Sequence, residues 1–364
     1  MPSELNIAVF EGDGIGPEVM APTLSILKEI ASLSGEFEFR FTSLPAGATH
    51  YQKSGTSLPD ASLDKAKEAD AILLSAMGLP DIRYPDGTEI SPQIELRQEL
   101  GLYAGLRPVR LSPGQASPLK LHADQSVDFM LIRESTEGLF WSRGQGYVDQ
   151  DEARETLLIT RRVSEKLFSL AFRLAERRNA SGIGHGCVTC VDKANVFRAF
   201  AFFRSIFDEV ATTHKDLKSD HLYVDAAALR MVQAPWSLDV LVTENMFGDI
   251  LSDLGAGLMG GLGLAPSADL GDEHAVFQPC HGSAPDIAGQ GIANPVAMIL
   301  SGAMMLDWLG DRKNLPRLAE AAIRLRAAAD QVLVQGQVMT PDLGGEDGTD
   351  AMAQAIRDNL KGLF

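Results

Sequence analysis

The sequence predicts an α/β fold, arranged as two domains or as one large α/β unit, and three observations carry that reading. The chain has 364 residues, which is ample for a large core. It opens on a strand-like run, 7–10, that passes through a glycine turn into a helix-like segment. Apolar runs then keep alternating with stretches of helical periodicity. Arg133, Asp225 and Thr243 stand at the carboxyl ends of such runs, where parallel α/β sheets gather their ligand-contacting groups.

The formal net charge of −17 argues against nucleic acid and against an anionic membrane surface as partners, since both repel an acidic protein. Any acidic substrate must be captured by a local basic cluster. Residues 1–10 carry no basic stretch ahead of their apolar run, and no uncharged run reaches the ~18 residues that a membrane span needs. The expectation is a soluble, cytoplasmic protein. Three cysteines, Cys187, Cys190 and Cys280, are too few for a disulfide framework. Cys187 and Cys190 form a Cys-x-x-Cys pair, but no second pair completes a zinc site, so a buried structural role is expected.

In chain order, the first run leads into Glu11-Gly12-Asp13-Gly14-Ile15-Gly16-Pro17-Glu18, with Pro17 suited to the first turn of a helix. Val19, Thr23, Ile26, Ile30 and Leu33 recur at helical spacing and predict a helix packed on a sheet. The glycines are not spaced as Gly-x-Gly-x-x-Gly, and no acidic residue closes a second strand at the expected distance, so a dinucleotide fingerprint is a poor fit. Ala71–Leu74 reads as a buried strand, 79–92 as a long loop, and the segment between Arg97 and Arg107 as apolar and helix-like. Arg133 closes the strand-like run 127–132. Three guanidinium groups can hold two or three carboxylates by bidentate hydrogen bonds. A helix is predicted over 164–178, with Val163, Leu167, Leu170, Ala171 and Leu174 inward, then a run 183–191 leading to Asp192-Lys193-Ala194-Asn195. A lysine at such a junction is either solvated or a general acid or base, and the second role needs partial burial or a cationic neighbour.

The chain is organised around 241–253, LVTENMFGDILSD. An apolar run ends in Thr243, Glu244 and Asn245, and a helix-compatible segment then places Asp249 and Asp253 four residues apart, on one face. Two uncompensated anions repel unless a cation or an arginine lies between them, and a hard divalent ion suits carboxylate oxygens. Most such pairs are simply a solvated helix face. This one follows directly from a strand-like run and precedes the glycine-rich 255–263, which sets it apart. Further on, His281-Gly282-Ser283-Ala284-Pro285-Asp286-Ile287 is a loop of small residues that lets a ligand approach the backbone. An acidic side chain there can accept both hydroxyls of an adenosine ribose while repelling a 2′-phosphate. Asn294-Pro295 follows, then a helix through Trp308 and an amphipathic helix over 318–334 with Leu318, Ala322, Leu325 and Ala329 inward.

Together, GDGIGPE at 12–18, ELRQELGLYAGLRPVR at 95–110, RESTEG at 133–138, DKAN at 192–195, VDAAALRMV at 224–232, ENMFGDILSD at 244–253 and HGSAPDIAGQGIANP at 281–295 make a chain that resembles the β-decarboxylating dehydrogenases. That family comprises isopropylmalate, isocitrate, homoisocitrate and tartrate/malate enzymes, and the resemblance covers essentially the whole chain. It implies an isopropylmalate dehydrogenase-like two-domain α/β fold with a mixed, largely parallel sheet shared across domains, which is not a true Rossmann fold. The large domain would be 1–102 plus 260–364, and 103–259 a small central domain carrying the contact of a homodimer with shared active sites. Arg97, Arg107 and Arg133 would bind the carboxylates of a substituted malate, with Ser91, Ile94 and Asn195 also on the substrate. Asp249 and Asp253, with Asp225 of the neighbouring subunit, would hold Mg²⁺ or Mn²⁺. Lys193, also from the neighbour, would take the hydroxyl proton, with Asp225 beside it in the catalytic set. His281, Gly282, Ser283, Ala284, Pro285, Asp286, Ile287 and Asn294 would bind the cofactor. Asp286 stands where NADP-using members carry a lysine, which points to NAD.

The sequence departs from the family pattern at Phe140, where a catalytic tyrosine is the rule; a phenyl ring has no proton to give. Tyr147 is a conceivable substitute. RESTEG is closer to the isocitrate, homoisocitrate and tartrate members than to the RELTGG of standard isopropylmalate enzymes. On the segment that reads the malate substituent, Ile90 and Ile94 are apolar whereas Ser91 and Gln93 are polar. A hydrophobic pocket separates substrates by only ~1 to 3 kcal/mol per methylene. The reading is an NAD-dependent oxidative decarboxylase of a 3-substituted (2R)-malate, 3-isopropylmalate foremost, with isocitrate, homoisocitrate and tartrate/D-malate as alternatives. A non-catalytic regulatory subunit is the contrasting expectation raised by Phe140, but such a subunit should have lost the lysine or the metal aspartates.

Overall fold

The computed structural model describes residues 2–111, 115, 117–122 and 125–364. Ser3–Phe10 (β1) ends in buried residues and turns into Gly16–Ser34 (α1), which Pro17 starts and Gly35 stops. Along α1 Val19, Thr23, Ile26 and Ile30 are buried as predicted, whereas Leu33 in the last turn projects beyond the core and is exposed. Phe37–Ser43 (β2), Ala48–Ser54 (α2), Asp60–Glu68 (α3) and Ala71–Leu74 (β3) follow. The predicted loop leads to Pro92–Glu99 (α4), which carries Arg97. The helix-like segment ends there: the chain reverses at Gly101 and enters Ala104–Arg110 (β4), placing Arg107 on a strand. Short apolar runs of this length suit either structure, and here sheet pairing decides.

Asp128–Glu134 (β5) comes next, then the hairpin Tyr147–Val148 (β6) and Ala153–Arg154 (β7). Arg161–Ala180 (α5), Cys187–Asp192 (β8), Arg198–Ala211 (α6) and Lys218–Tyr223 (β9) continue the chain. The run 183–191 becomes strand only from Cys187, after glycines 182, 184 and 186. Val224–Gln233 (α7), Val240–Thr243 (β10) and Asn245–Met259 (α8) follow. Pro266–Leu270 (β11), Ala275–Pro279 (β12), Val296–Lys313 (α9), Pro316–Gln335 (α10) and Thr349–Lys361 (α11) complete it.

Among the described residues, ten strands form one sheet in the order β2-β1-β3-β12-β11-β4-β5-β10-β8-β9. The flanks, β2-β1-β3-β12 and β5-β10-β8-β9, are parallel, and the middle, β12-β11-β4-β5, is antiparallel. This is the mixed, largely parallel sheet that the resemblance implies, and its antiparallel middle separates it from a Rossmann sheet. Buried side chains sort into separate clusters on the two flanks. Around β1 and β3, Val19, Ile26, Met298, Leu325 and Ile356 pack on one side, with Phe10, Ala66, Leu74 and Leu102 in another cluster. Around β5, β8 and β10, Leu167, Phe172 and Phe207 form one cluster and Met231, Leu251 and Ala256 another. The flanks meet at the antiparallel strands, where the register sets Asp269 opposite Gly105 and Gly105 opposite Arg133. No helix among the described residues is long and apolar enough to cross a membrane.

Candidate active site

Arg97, Arg107, Arg133, Asp249 and Asp253 line one cavity of about 170 Å³, so the arginines and acidic pair singled out in sequence converge from α4, β4, β5 and α8. Helix α8 is positioned at its start: Glu244 caps it by accepting from the Phe247 amide (3.3 Å), and Asn245 accepts from Arg133 Nε (2.9 Å) while donating to the Glu137 carbonyl (2.9 Å). Gly248 lets the helix lie directly against Arg133. Arg133 also pairs with Asp249, and its guanidinium carbon sits 5.2 Å from the centre of the Phe140 ring. Burial, and then the like charge of Arg97, pull the pKa of Arg133 down to about 10 despite Asp249. The guanidinium is short of counter-charge, as an anion site requires.

Behind the arginines lies a group that the sequence reading missed. Asp269, fully buried on β11, accepts from Arg97 Nε (3.1 Å), Arg107 (3.2 Å) and Gln278 Nε2 (2.5 Å). Burial alone would raise its pKa, but Arg97, Arg107 and Arg133 outweigh that and hold it at about 2. Arg107 is likewise opposed by burial and held above its ordinary value by Asp269. An acid flanked by Ala268 and Leu270 in a buried strand was the available signal, because such a group needs a cationic partner.

Asp249 and Asp253 are the residues that fit a divalent cation. Burial, then the charge of Asp249, push the Asp253 pKa up; Asp249 pairs with Arg133, so Asp253 is the carboxylate without an ion-pair partner among the described residues, and both supply hard oxygen donors. Among the described residues no three His, Cys, Asp or Glu side chains of one chain converge into a cage. Asp225, in the first turn of α7, instead pairs with Lys193 Nζ at 2.5 Å, and neither residue lines the cavity. Asn195 is exposed and also outside it. Ser91 is buried with its hydroxyl turned back to the Glu89 carbonyl (3.2 Å), Ile94 is half-buried, and neither borders the cavity. Tyr147 is exposed on the β6–β7 hairpin, bonded to Asp149.

Of the loop 281–287, His281 and Gly282 reach the cavity. Ser283 anchors the loop: its hydroxyl donates to the Gly78 carbonyl (2.5 Å) and its carbonyl accepts from the Ile15 amide (2.8 Å). Gly14, at φ +59°, has no room for a β-carbon against Ser283, so the glycine turn serves this loop-on-loop packing, which explains its poor match to a phosphate-binding fingerprint. Ala284 takes a positive φ of 38°, Pro285 and Asp286 are exposed, and Ile287 is half-buried. Asn294 is buried, donating to Asp342 (3.1 Å) and accepting from the Val296 amide (3.0 Å). Ser75 Oγ, Gln93 Oε1 and His281 Nε2 all belong to cavity-lining residues and are buried with no partner among the described residues, which marks the cavity as built for a polar ligand. Ser75 directly follows β3, the strand-end signal that identified Arg133. Cys187, Cys190 and Cys280 are free thiols.

A family model described as isocitrate/isopropylmalate dehydrogenase matches residues 6–356. The chain is 40% identical over 357 residues to the 3-isopropylmalate/3-methylmalate dehydrogenase of Methanocaldococcus jannaschii, covering 98% of each. It is also 40% identical over 368 residues to the homoisocitrate dehydrogenase of that organism, covering 98% of this chain and 99% of the other. The crystal structure of isocitrate dehydrogenase from Methylococcus capsulatus matches with a TM-score of 0.85 at 36% identity, covering 98% of this chain and 99% of that one. With the arginine and aspartate cluster in place on the same fold, the chain belongs to the isocitrate/isopropylmalate dehydrogenase family and is a decarboxylating hydroxyacid dehydrogenase.

Proposed function

We propose that this enzyme carries out the NAD-dependent, Mg²⁺- or Mn²⁺-dependent oxidative decarboxylation of a 3-substituted (2R)-malate of the 3-isopropylmalate type. The observation that carries the reading is the cavity in which three guanidinium groups face Asp249 and Asp253. Arg97, Arg107 and Arg133 bind and orient the substrate carboxylates by charge-assisted hydrogen bonds. Asp249, Asp253 and a second copy's Asp225 would hold the divalent ion, which would supply electrostatic stabilisation of the negative charge that develops on the substrate's C2 oxygen. Lys193 Nζ of that second copy takes the hydroxyl proton. NAD, when bound, would supply the hydride acceptor for C2, and the ketone so formed in the substrate could accept the electrons released as the β-carboxylate leaves as CO₂. Phe140 offers no proton, so the final protonation comes from another group or water.

A homodimer with shared sites is supported by the separation of Lys193 and Asp225 from the cavity. It is supported also by the exposed apolar side chains of Val196, Phe197, Leu229, Val232 and Ile250 on the segments that carry these residues. The clusters around the two sheet flanks support a large domain of 1–102 plus 260–364 and a central domain of 103–259. Exposed Asp286 supports NAD over NADP. The acidic charge and free cysteines suit a cytoplasmic setting.

The test is a substrate panel of 3-isopropylmalate, homoisocitrate, isocitrate, tartrate and D-malate, run with NAD or NADP and Mg²⁺ while CO₂ is measured beside NADH. The expected result is NADH and CO₂ in equal amounts with 3-isopropylmalate, abolished by a chelator and restored by Mg²⁺. Absence of NADH across the panel would overturn the proposal and favour a regulatory subunit, and NADH without CO₂ would mean oxidation alone.

A further inference from the structure

The antiparallel middle of the sheet has two faces, and only one of them belongs to the arginine cavity. On β4, Arg107 lines that cavity while Leu106, Pro108 and Arg110 turn to the opposite face, and β11 divides in the same way, with Ser267 in front and Ala268 and Leu270 behind. Behind the sheet these side chains form the floor of a second cavity of about 800 Å³. Helix α5 supplies one wall through Leu170 and Leu174, and α9 and α10 supply the other through Met304, Trp308 and Leu333. The size is that of small-molecule sites in general, and aliphatic, thioether and aromatic walls suit an apolar guest. We propose that this rear cavity is a second binding site, for an uncharged apolar molecule, and that its occupation is felt in the arginine cavity through the strands that the two share.

That the guest is uncharged follows from the ion pairs of the lining. Among the described residues, Arg110 pairs with Asp330 (2.5 Å), Arg177 with Asp311 (2.5 Å), Arg178 with Asp128 (3.0 Å) and Arg326 with Asp307, which uses up every charged group that lines the cavity. An ionic entrant would lose hydration and meet no unpaired charge, whereas an apolar one only releases water from apolar walls. The coupling follows from what the walls belong to. Helix α5 packs on the flank of β5, β8 and β10, and α9 and α10 pack on the flank of β1 and β3, with Arg177 and Asp311 joining the two across the cavity. The width of the rear cavity is therefore set by how the flanks sit against each other, and so is the convergence of Arg97 with Asp249 on the front face. A molecule that fits the width seen here favours this arrangement, in which the front cavity is only about 170 Å³.

The experiment titrates the protein with N-phenyl-1-naphthylamine, an uncharged dye that brightens in apolar surroundings, and with 8-anilino-1-naphthalenesulfonate, which has the same rings and adds a sulfonate. The uncharged dye should saturate at one molecule per chain and bind about tenfold or more tighter than the sulfonate, because only the second brings a charge that the site leaves unpaired. Ala327→Trp on α10 and Leu174→Trp on α5 fill the cavity from opposite walls, and each should weaken the uncharged dye by about tenfold or more. Undiminished binding in the folded variants places the dye elsewhere and overturns the site. Should neither variant fold, an uncharged dye that binds no better than the sulfonate overturns it equally. The coupling is read at Cys280, a half-buried free thiol on the wall of the arginine cavity. Its alkylation by iodoacetamide, followed by mass spectrometry in Cys187→Ser protein, should slow by about fivefold or more when the dye is bound. A rate that is unchanged or raised overturns the coupling. Neither measurement uses a substrate, so a protein that turns over no malate overturns the proposed reaction and leaves this inference standing.

Discussion

Gly248 on α8 and Arg133 on β5 touch so closely that a β-carbon on the glycine would lie 2.6 Å from the arginine Cβ. The same arginine holds Asp249 and Asn245, so this contact ties the acidic helix to the arginine cluster. In an exposed helix Gly→Ala gains up to ~1 kcal/mol. Here overpacking, at ~1 to 3 kcal/mol, decides the sign. Gly248→Ala should be less stable in urea titration. Its kcat/KM should fall by about tenfold or more, because small displacements of reacting groups are expensive. A variant with wild-type kinetics would mean that α8 can shift without moving Asp249.

Asp13 is the second structural hinge of the site. Its buried carboxylate accepts from the amides of Ala48 (2.7 Å), Thr49 (2.8 Å) and Gly78 (2.9 Å), capping α2 and fixing the segment just after Ser75. Asp13→Ala leaves these donors unmet at ~1 to 3 kcal/mol each, less what water recovers, so a loss of about 3 kcal/mol is expected in chemical denaturation. KM should rise with it, since Ser75 and His281 lose their support.

Glu134 gives the fold a pH dependence. Burial pushes its pKa up to about 7 from 4.5, against the hydrogen bonds it accepts from Thr136 and Glu137. The folded state therefore holds a proton that the unfolded chain has released between those values. This contribution to stability is complete below about pH 4.5 and is lost as pH rises through about 7, where the loss reaches ~3 kcal/mol at 1.36 kcal/mol per unit. Subtracting the melting profile of Glu134→Gln from that of the wild type should reveal a term that declines from pH 4.5 to 7. A flat difference would refute the burial effect.

The cavity was legible in sequence as far as local rules reach. Asp249 and Asp253 follow from helical spacing, and Arg133 from its place at a strand end, because both depend only on neighbouring residues. Asp269 escaped because its partners lie 172 and 162 positions away, and only the antiparallel pairing of β11 with β4 brings them together. The late start of β8 has the opposite cause: a local rule, glycine disruption at 182–186, overrides an apolar pattern. Lys193 and Asp225 lie outside the cavity and pair with each other within the chain, a pairing across 32 positions that no local rule of sequence foretells.

Phe140 is where catalysis can be improved. Its ring lies against the Arg133 guanidinium, a contact that contributes ~0.5 to 2 kcal/mol to holding that side chain. Phe140→Ala should therefore raise KM by about two- to thirtyfold, the span to which that range corresponds. Phe140→Tyr keeps the ring and adds a phenolic proton donor beside the Arg133 guanidinium. General acid catalysis by a positioned group contributes ~10²- to 10⁴-fold where proton transfer limits the rate, so even partial alignment should raise kcat severalfold with KM nearly unchanged. Single-turnover CO₂ release, compared with the NADH burst, shows which step gains. Acceleration of CO₂ release and enol protonation without change in hydride transfer is the expected pattern. Slowing of both steps by Tyr as much as by Ala would mean that the added oxygen displaces Arg133 instead of donating.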